Sequence, residues 1–493
     1  MKTASPLLSH LPPSWVYGLL FFTVVLAATF TAGCGSNSKV TKPSTPVLTG
    51  DTSVAVLVSS TANGQLSQFN VRLNSVTLTS QSGKKVSLFA TPQNPEFIHL
   101  NAAAEPLMTV NVPQDVYTSA TATIGYSQFT CVSLDSFGGI QTSAFATSGT
   151  QPATLTLPSP ITVTGTAMGL SLDLQVGQSA TFSSCNLEGA TYSITPTFNL
   201  SPVAVSSQPT NVENGKESGI DGQISSVSTS GNGFSLVTAD GAALSVNTSG
   251  STVYQGISDF SALVAGMPVD MDAAVQPDGS LLATRVAVED TDTTNLSMLN
   301  GPLLNVAASE PVLMTFGREE QGYLFASQKV GGPFYVSFGN AVFQTSGQFT
   351  NLRKLPFPAS FNSTNMFAGQ NVYLSSHALT FSGGPTYVPV STVTLMPQTI
   401  NGTVSEVSND GGFATYTVAL APYDLIPALA VQQGQTTLLS DPSNVVVYVD
   451  SNTQLLNSKP LAAGNVLRFN GILFNDNGTL RMDCGQVNDG VAE

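Results

Sequence analysis

Three stretches of this 493-residue chain open alike: Ile220-Asp221-Gly222-Gln223-Ile224-Ser225-Ser226-Val227, Leu299-Asn300-Gly301-Pro302-Leu303-Leu304-Asn305-Val306 and Ile400-Asn401-Gly402-Thr403-Val404-Ser405-Glu406-Val407. Each reads apolar residue, Asp or Asn, Gly, then apolar residues two and five places after the Gly. A second signature follows in every unit, around Ala265-Gly266, Ala368-Gly369 and Ala463-Gly464. Its apolar positions fall three before, three after and five after the Gly: Leu263, Val269, Met271; Met366, Val372, Leu374; Leu461, Leu467, Phe469. Matched anchors at matched spacing mark an internal repeat. Alternation around turn glycines predicts strands rather than helices. The Gly after Asp or Asn allows a bulge or tight bend where the first strand curls. The Ala-Gly pair ends a turn and launches the next strand. Each unit therefore reads as a small antiparallel barrel, and closing it hides strand edges. Hairpin turns are legible at Asp240-Gly241, Pro277-Asp278-Gly279 and Asn475-Asp476-Asn477-Gly478. The second and third units carry insertions, and Pro422 to Gln433 holds the one stretch expected to be helical.

Upstream lies a different β pattern. Val54, Val56 and Val58 alternate with small or polar residues, the period of a half-buried strand. Phe69, Val71 and Leu73 do the same, with Asn70, Arg72 and Asn74 facing out; Val76 and Leu78 continue in the opposite phase, which predicts a bulge near Asn74-Ser75. Ser82-Gly83 reads as a turn before Val86 and Leu88. Further strands are expected at Leu170, Leu172, Leu174 and Val176, at Tyr192 and Ile194, and at Phe198 and Leu200. Many short strands with regular turns predict a sandwich. The expected fold is all-β: an N-terminal β-sandwich followed by three barrel-like repeats, after an N-terminal signal segment. The boundaries are 1–34 for the signal segment, 35–50 for a tether, 51–206 for the sandwich and 207–217 for a linker. The repeats occupy 218–292, 297–398 and 399–493.

Residues Trp15 to Phe30 are uncharged and largely apolar, shorter than the ~20 residues of a membrane span. The run ends in Thr31-Ala32-Gly33-Cys34, which resembles a lipobox, although Thr31 stands where such motifs carry Leu. That resemblance implies cleavage before Cys34, lipidation of its thiol and a membrane anchor. Gly35 after the Cys favours an outer-membrane or surface destination. Residues 52–204 resemble an uncharacterised family of bacterial lipoprotein domains (DUF4382-like). The resemblance lies in Ala55-Val56-Leu57-Val58, in the Phe69-to-Val76 strand and in Val112-Pro113 before Tyr117. Asp115-Val116 replaces the family's Gly. The repeats, best over 219–289, resemble a second family of small exported β-barrel domains (DUF5666-like). Neither resemblance implies an activity; both imply architecture and location.

Composition narrows function further. Charged residues make up 9% of the chain against 42% hydrophobic, and the net charge is -15. Loss of residues 1–33 removes Lys2 and no acid, so the mature chain is more acidic still. Nucleic-acid binding, which needs Lys and Arg against phosphate, is excluded as an expectation. Of the cysteines left beside Cys34, Cys131 and Cys185 share the sandwich; a disulfide between them is the natural reading in an exported chain, with two separate buried thiols the alternative. Cys484 reads as a small core residue.

Catalytic groups are sparse. His99 and His377 fall in different units, and the nucleophile-elbow, zincin and P-loop patterns do not occur. Ser36-Asn37-Ser38-Lys39 and Ser82-Gly83-Lys84-Lys85 are chance matches to a Ser-x-x-Lys pattern, one in the tether and one in a turn. Glu289, Asp290 and Asp292 are weak candidates for Ca²⁺, set against a solvated linker. Asp270 and Asp272 share one strand face and are expected to point to solvent. Glu319-Glu320 reads as a hairpin turn. The mature chain lacks Trp, because Trp15 lies in the signal segment, leaving Tyr387 and Tyr448 as the aromatic sugar-stacking candidates. The expectation is a non-catalytic envelope lipoprotein without cofactor, acting as a binding, spacer or scaffold module. The alternatives are a carbohydrate- or Ca²⁺-binding protein and, behind it, a hydrolase with an unrecognised site.

Overall fold

In a computed structural model, strands begin at Asp51 and end at Asp489. The structure describes residues 48–489 apart from 62, 101–103, 135–139, 187–188, 204–215, 230, 239–242, 307–311, 317–318, 323–330, 347–353, 378–387, 423, 432–438 and 457–458. Cys34, the signal segment and the Asp240-Gly241 turn therefore lie outside the described residues.

Together with a two-stranded sheet of Ala180–Phe182 and Tyr192–Ile194, the sandwich is built on two sheets that share strand Gln151–Thr156. One runs Ala104–Pro113, Asp51–Ser60, Ala167–Leu174, Thr197–Val203, Gln151–Thr156. The other is organised by the 20-residue strand Asp115–Leu134. Leu66–Ser80 pairs along one of its edges, while Ile140–Thr147, Gln151–Thr156 and Ile161–Val163 follow one another along the other. Val54, Val56, Val58, Leu170 and Leu172 meet Phe69, Val71 and Phe129 in a common core. The register shift expected in Leu66–Ser80 falls between Leu73 and Ser75, with others between Leu66 and Gln68, Val71 and Leu73, and Thr79 and Ser80. Val176 does not extend its strand. The strand stops at Leu174, and Val176–Ser179 forms a helical turn beneath Thr197, whose N–H donates to Ser179 Oγ at 2.9 Å.

Strand Asp51–Ser60 also departs from the half-buried expectation, because both of its faces are covered. Val54, Val56 and Val58 enter the sandwich core, whereas Ala55 and Leu57 enter the core of barrel 1 beside Ile220, Met271 and Val286. Two-sided burial accounts for the unbroken apolar run Val54-Ala55-Val56-Leu57-Val58.

Barrels 1 and 3 have the same strand order. In barrel 1 the six strands are Lys216–Val227, Gly233–Val237, Ala243–Asn247, Val253–Gln255, Pro268–Val275 and Leu281–Val288. In barrel 3 they are Gln398–Asp410, Phe413–Leu420, Asn444–Val449, Gln454–Leu456, Val466–Asp476 and Thr479–Asp489. Each sheet runs third, second, first, fifth, sixth, fourth, and closes by parallel pairing of the third strand with the sixth. Barrel 2 keeps this order with its second and sixth strands broken: Val312–Phe316 and Glu319–Gly322 both pair with Ser297–Val306, while Val388–Pro389 and Thr392–Leu395 share the role of the sixth. Glu319-Glu320 is thus strand rather than turn, since the second strand resumes along the long first one. The expected helix forms at Leu425–Val431, and it packs Leu425 and Leu429 against Val132 of the sandwich and Leu304 and Ala368 of barrel 2.

The two repeat signatures meet in space. The N–H of Gly266, Gly369 and Gly464 donates to the carbonyl of Ile224, Leu303 and Val404 at 2.7, 2.7 and 2.8 Å. The N–H groups of Ile224, Leu303 and Val404 donate back to Met267, Gln370 and Asn465 at 2.9, 2.9 and 3.0 Å. Those three glycines have φ of +93°, +105° and +88°, a region costly for any residue with a Cβ. The first strand bulges immediately after, at Ser225, Leu304 and Ser405, which fall out of register with the second strand. The repeat is therefore a backbone device: a left-handed glycine locked to a bulge.

Candidate functional site

Barrel 1 and barrel 2 meet across a seam built by the fifth and sixth strands of barrel 1, the segment Glu289–Thr294, and the fourth, fifth and sixth strands of barrel 2. Asp270 and Asp272 come from a strand whose other residues fill the barrel 1 core, so period-two alternation turns both carboxylates outward. Outward here means into barrel 2. Asp270 is fully buried, which corrects the expectation of a solvent-facing pair. Arg285 on the adjacent strand donates from Nη2 to Asp270 Oδ2 at 3.1 Å and from Nε to Asp272 Oδ2 at 3.0 Å. Ser346 Oγ, next to the fourth strand of barrel 2, donates to the same Asp270 oxygen at 3.2 Å. Burial raises the Asp270 carboxyl above the usual range, and Arg285 opposes that rise. Burial works against the Arg285 charge, but Asp270 and Asp272 hold the guanidinium protonated.

The three linker acids do not converge. Glu289 turns to the Asp270–Arg285 cluster and hydrogen-bonds Thr394 of barrel 2; burial, with Asp270 second, pushes its carboxyl up to about 8. Asp290 faces the other way. Its Oδ2 accepts from Ser375 Oγ at 3.0 Å and lies 3.1 Å from Nε2 of His377. Asp292 is more exposed, 3.9 Å from Nδ1 of His377, and caps a turn by accepting from the Thr294 N–H at 2.9 Å. That hydrogen bond lowers its carboxyl. His377 Nδ1 lies 2.9 Å from the Thr294 carbonyl. Burial lowers its imidazole, but the Thr294 carbonyl and Asp290 outweigh it and raise the group overall. Adjacent in sequence, these acids are turned by the segment after Val288 to different partners, Glu289 to Thr394 and Asp290 to Ser375 and His377.

A second buried polar cluster sits in the sandwich. His99 Nδ1 lies 3.1 Å from Glu96 Oε2 and Nε2 lies 3.2 Å from Glu105 Oε1, with all three side chains no more than 6% exposed. Glu96 also accepts from the N–H groups of Phe69, Ile98 and His99 at 2.6, 3.0 and 2.8 Å. These bonds staple residues 96–99 onto the long strand Leu66–Ser80. The Glu-His-Glu grouping leaves no mark in the sequence, because the spacing of 96, 99 and 105 follows no strand or helix period.

The remaining candidates are placed plainly. Cys131 and Cys185 form a disulfide with Cα atoms 5.7 Å apart, the bond of an oxidising, extracytoplasmic environment. Cys484 is free and buried, and burial pushes its thiol up. Tyr448 is 1% exposed, packed between Phe357 and Phe413 with the Arg481 guanidinium over its ring, so it offers no sugar platform. Tyr387 lies outside the described residues.

Fold and seam together define an all-β chain, a disulfide-bonded sandwich carrying three barrels of common topology. Residues 221–287 match the family described as Domain of unknown function (DUF5666), from Asp221 of the first signature to Ala287 in the sixth strand of barrel 1. This bears out the likeness expected for the first repeat. A search of curated proteins finds no match for the chain.

Proposed function

We propose that the mature chain is a non-catalytic component of the bacterial cell envelope, tethered to the membrane through lipid on Cys34, whose packed barrels form a scaffold with docking surfaces. In this reading the sandwich is a DUF4382-like lipoprotein domain and the protein sits at the outer membrane or cell surface. It takes no cofactor and no nucleic acid. The observation that carries the reading is the use made of the repeat. Its shared residues are glycines and apolar side chains spent on a bulge, a left-handed turn and a core, while its outward positions change from unit to unit. The Cys131–Cys185 disulfide supports export. His99 and His377 support a structural role, since both ring nitrogens of each lie against carboxylate or carbonyl oxygens. The test joins fractionation to an activity screen. Cys34→Ala should release the chain from the membrane fraction, and the purified protein should leave esters, glycosides, peptides and phosphates uncleaved with and without Ca²⁺. Firm membrane retention of the variant, or turnover abolished by changing one Asp, Glu or His, would overturn the proposal.

A further inference from the structure

The seam between barrels 1 and 2 concentrates ionisable groups where an interface normally avoids them. Asp270, Asp272 and Arg285 come from barrel 1, Glu289, Asp290 and Asp292 from the connecting segment, and His377 from the end of the fifth strand of barrel 2. Asp221 on the first strand of barrel 1 accepts from Asn300 Nδ2 of barrel 2 at 3.0 Å, and Glu319 stands opposite Asn300 in the sheet register. Among the described residues, Ser346, Ser375 and Thr394 line the seam from barrel 2. Among the described residues named here, acids outnumber the cationic Arg285 and His377.

We propose that this seam is a proton-controlled clamp: barrel 1 and barrel 2 are held together in mildly acidic surroundings, and the contact loosens as the surroundings turn alkaline. Two pieces of chemistry act in the same direction. Glu289, once exposed, releases its proton near the ordinary 4.5, but inside the seam it keeps it up to about 8. The closed state thus binds more protons than the open one across that window, and closure weakens as pH rises through it. His377 is also raised above its ordinary 6.5. Its contribution is present below that value and is lost as pH climbs through the folded one, when the ion pair with Asp290 dissolves. Asp270, fully buried and raised by burial, adds to the same trend. The seam between barrels 2 and 3 is lined by Phe357, Phe413, Tyr448 and Phe474 instead, with the Arg481 guanidinium over the Phe357 ring.

Hydrogen–deuterium exchange on the mature full-length protein tests the clamp. After correction for intrinsic exchange, amides in Pro268–Val275, Leu281–Val288 and Thr392–Leu395 should exchange at least about tenfold faster at pH 8 than at pH 6. Amides of the sandwich strand Thr197–Val203, which carries no ionisable side chain, should not change. Glu289→Gln keeps the shape, cannot ionise, and should remove most of the rise; His377→Gln should remove part of it. A flat profile overturns the clamp, as does an equal rise in the sandwich strand. So does an undiminished rise in Glu289→Gln. Should that variant fail to fold, an undiminished rise in His377→Gln overturns it alone.

Discussion

Barrel 2 is held by two neighbours in opposite ways. Towards barrel 1 it presents Ser346, Ser375, Thr394 and His377 to a set of buried charges. Towards barrel 3 it presents Phe357 to Phe474 in an edge-on contact at 6.0 Å between ring centres, and to Tyr448 at 5.1 Å. The same six-strand scaffold makes both seams. Outward positions differ between the units: four residues after the second-signature glycine stand Asp270, Tyr373 and Arg468 in the three barrels, opposite Asp221, Asn300 and Asn401 on the first strand. Anchors fix the backbone, and the side chains between them choose the neighbour. A polar seam depends on pH and on pairing; an apolar one depends on volume.

The apolar seam should be the costliest to damage. Phe474→Ala removes a ring that is 1% exposed, and urea unfolding should show a loss of about 4 kcal/mol that is the same at pH 6 and pH 8. In the polar seam, Arg285→Met removes the guanidinium that both Asp270 and Asp272 contact. We expect a loss of about 3 kcal/mol in the same assay, smaller at pH 5, where the carboxylates take up protons. Within the scaffold itself, a Cβ at Gly402 would collide with the Ala419 carbonyl and with Val418. Gly402→Ala should cost about 2 kcal/mol, and Gly464→Ala, which meets only its left-handed backbone, about 1 kcal/mol. Equal losses at the two glycines would show that close strand approach is not what the first signature protects. The smallest effect is at Asp483. Burial, with Asp450 second, pushes its carboxyl up to about 7, so its ionisation weakens the fold as pH rises from about 4 towards 7. Asp483→Asn should gain about 1 kcal/mol at pH 8 and nothing at pH 4.

What the sequence displayed was whatever repeats or alternates. The paired signatures were readable because a left-handed turn and a close strand crossing demand Gly wherever they recur. Phe69, Val71 and Leu73 were readable as inward positions because the other face of that strand stays partly open, with Arg72 exposed. Ala55 and Leu57 looked like spacers on an outer face, since nothing local announces that barrel 1 covers it. Asp270 and Asp272 depart from the sequence expectation for the same reason: alternation says outward, and only a partner contributed by Ser346, far along the chain, makes outward mean buried. Asp290 and His377, 87 residues apart, carry no spacing that links them. Contacts within a repeat leave a period in the sequence; contacts between repeats do not.

Strand Asp51–Ser60 has a mechanical consequence. It pairs at nine positions with Ala104–Pro113 on one edge, with a register shift between Val56 and Leu57, and at eight with Ala167–Leu174 on the other, and both its faces are covered. A pull on residue 50 along the strand axis loads both ladders in shear. The bonds must yield together rather than open one at a time from an end, and two hydrophobic cores must be breached in the same event. Tension entering at residue 50 therefore meets a strand held along both edges and on both faces before any other element is loaded.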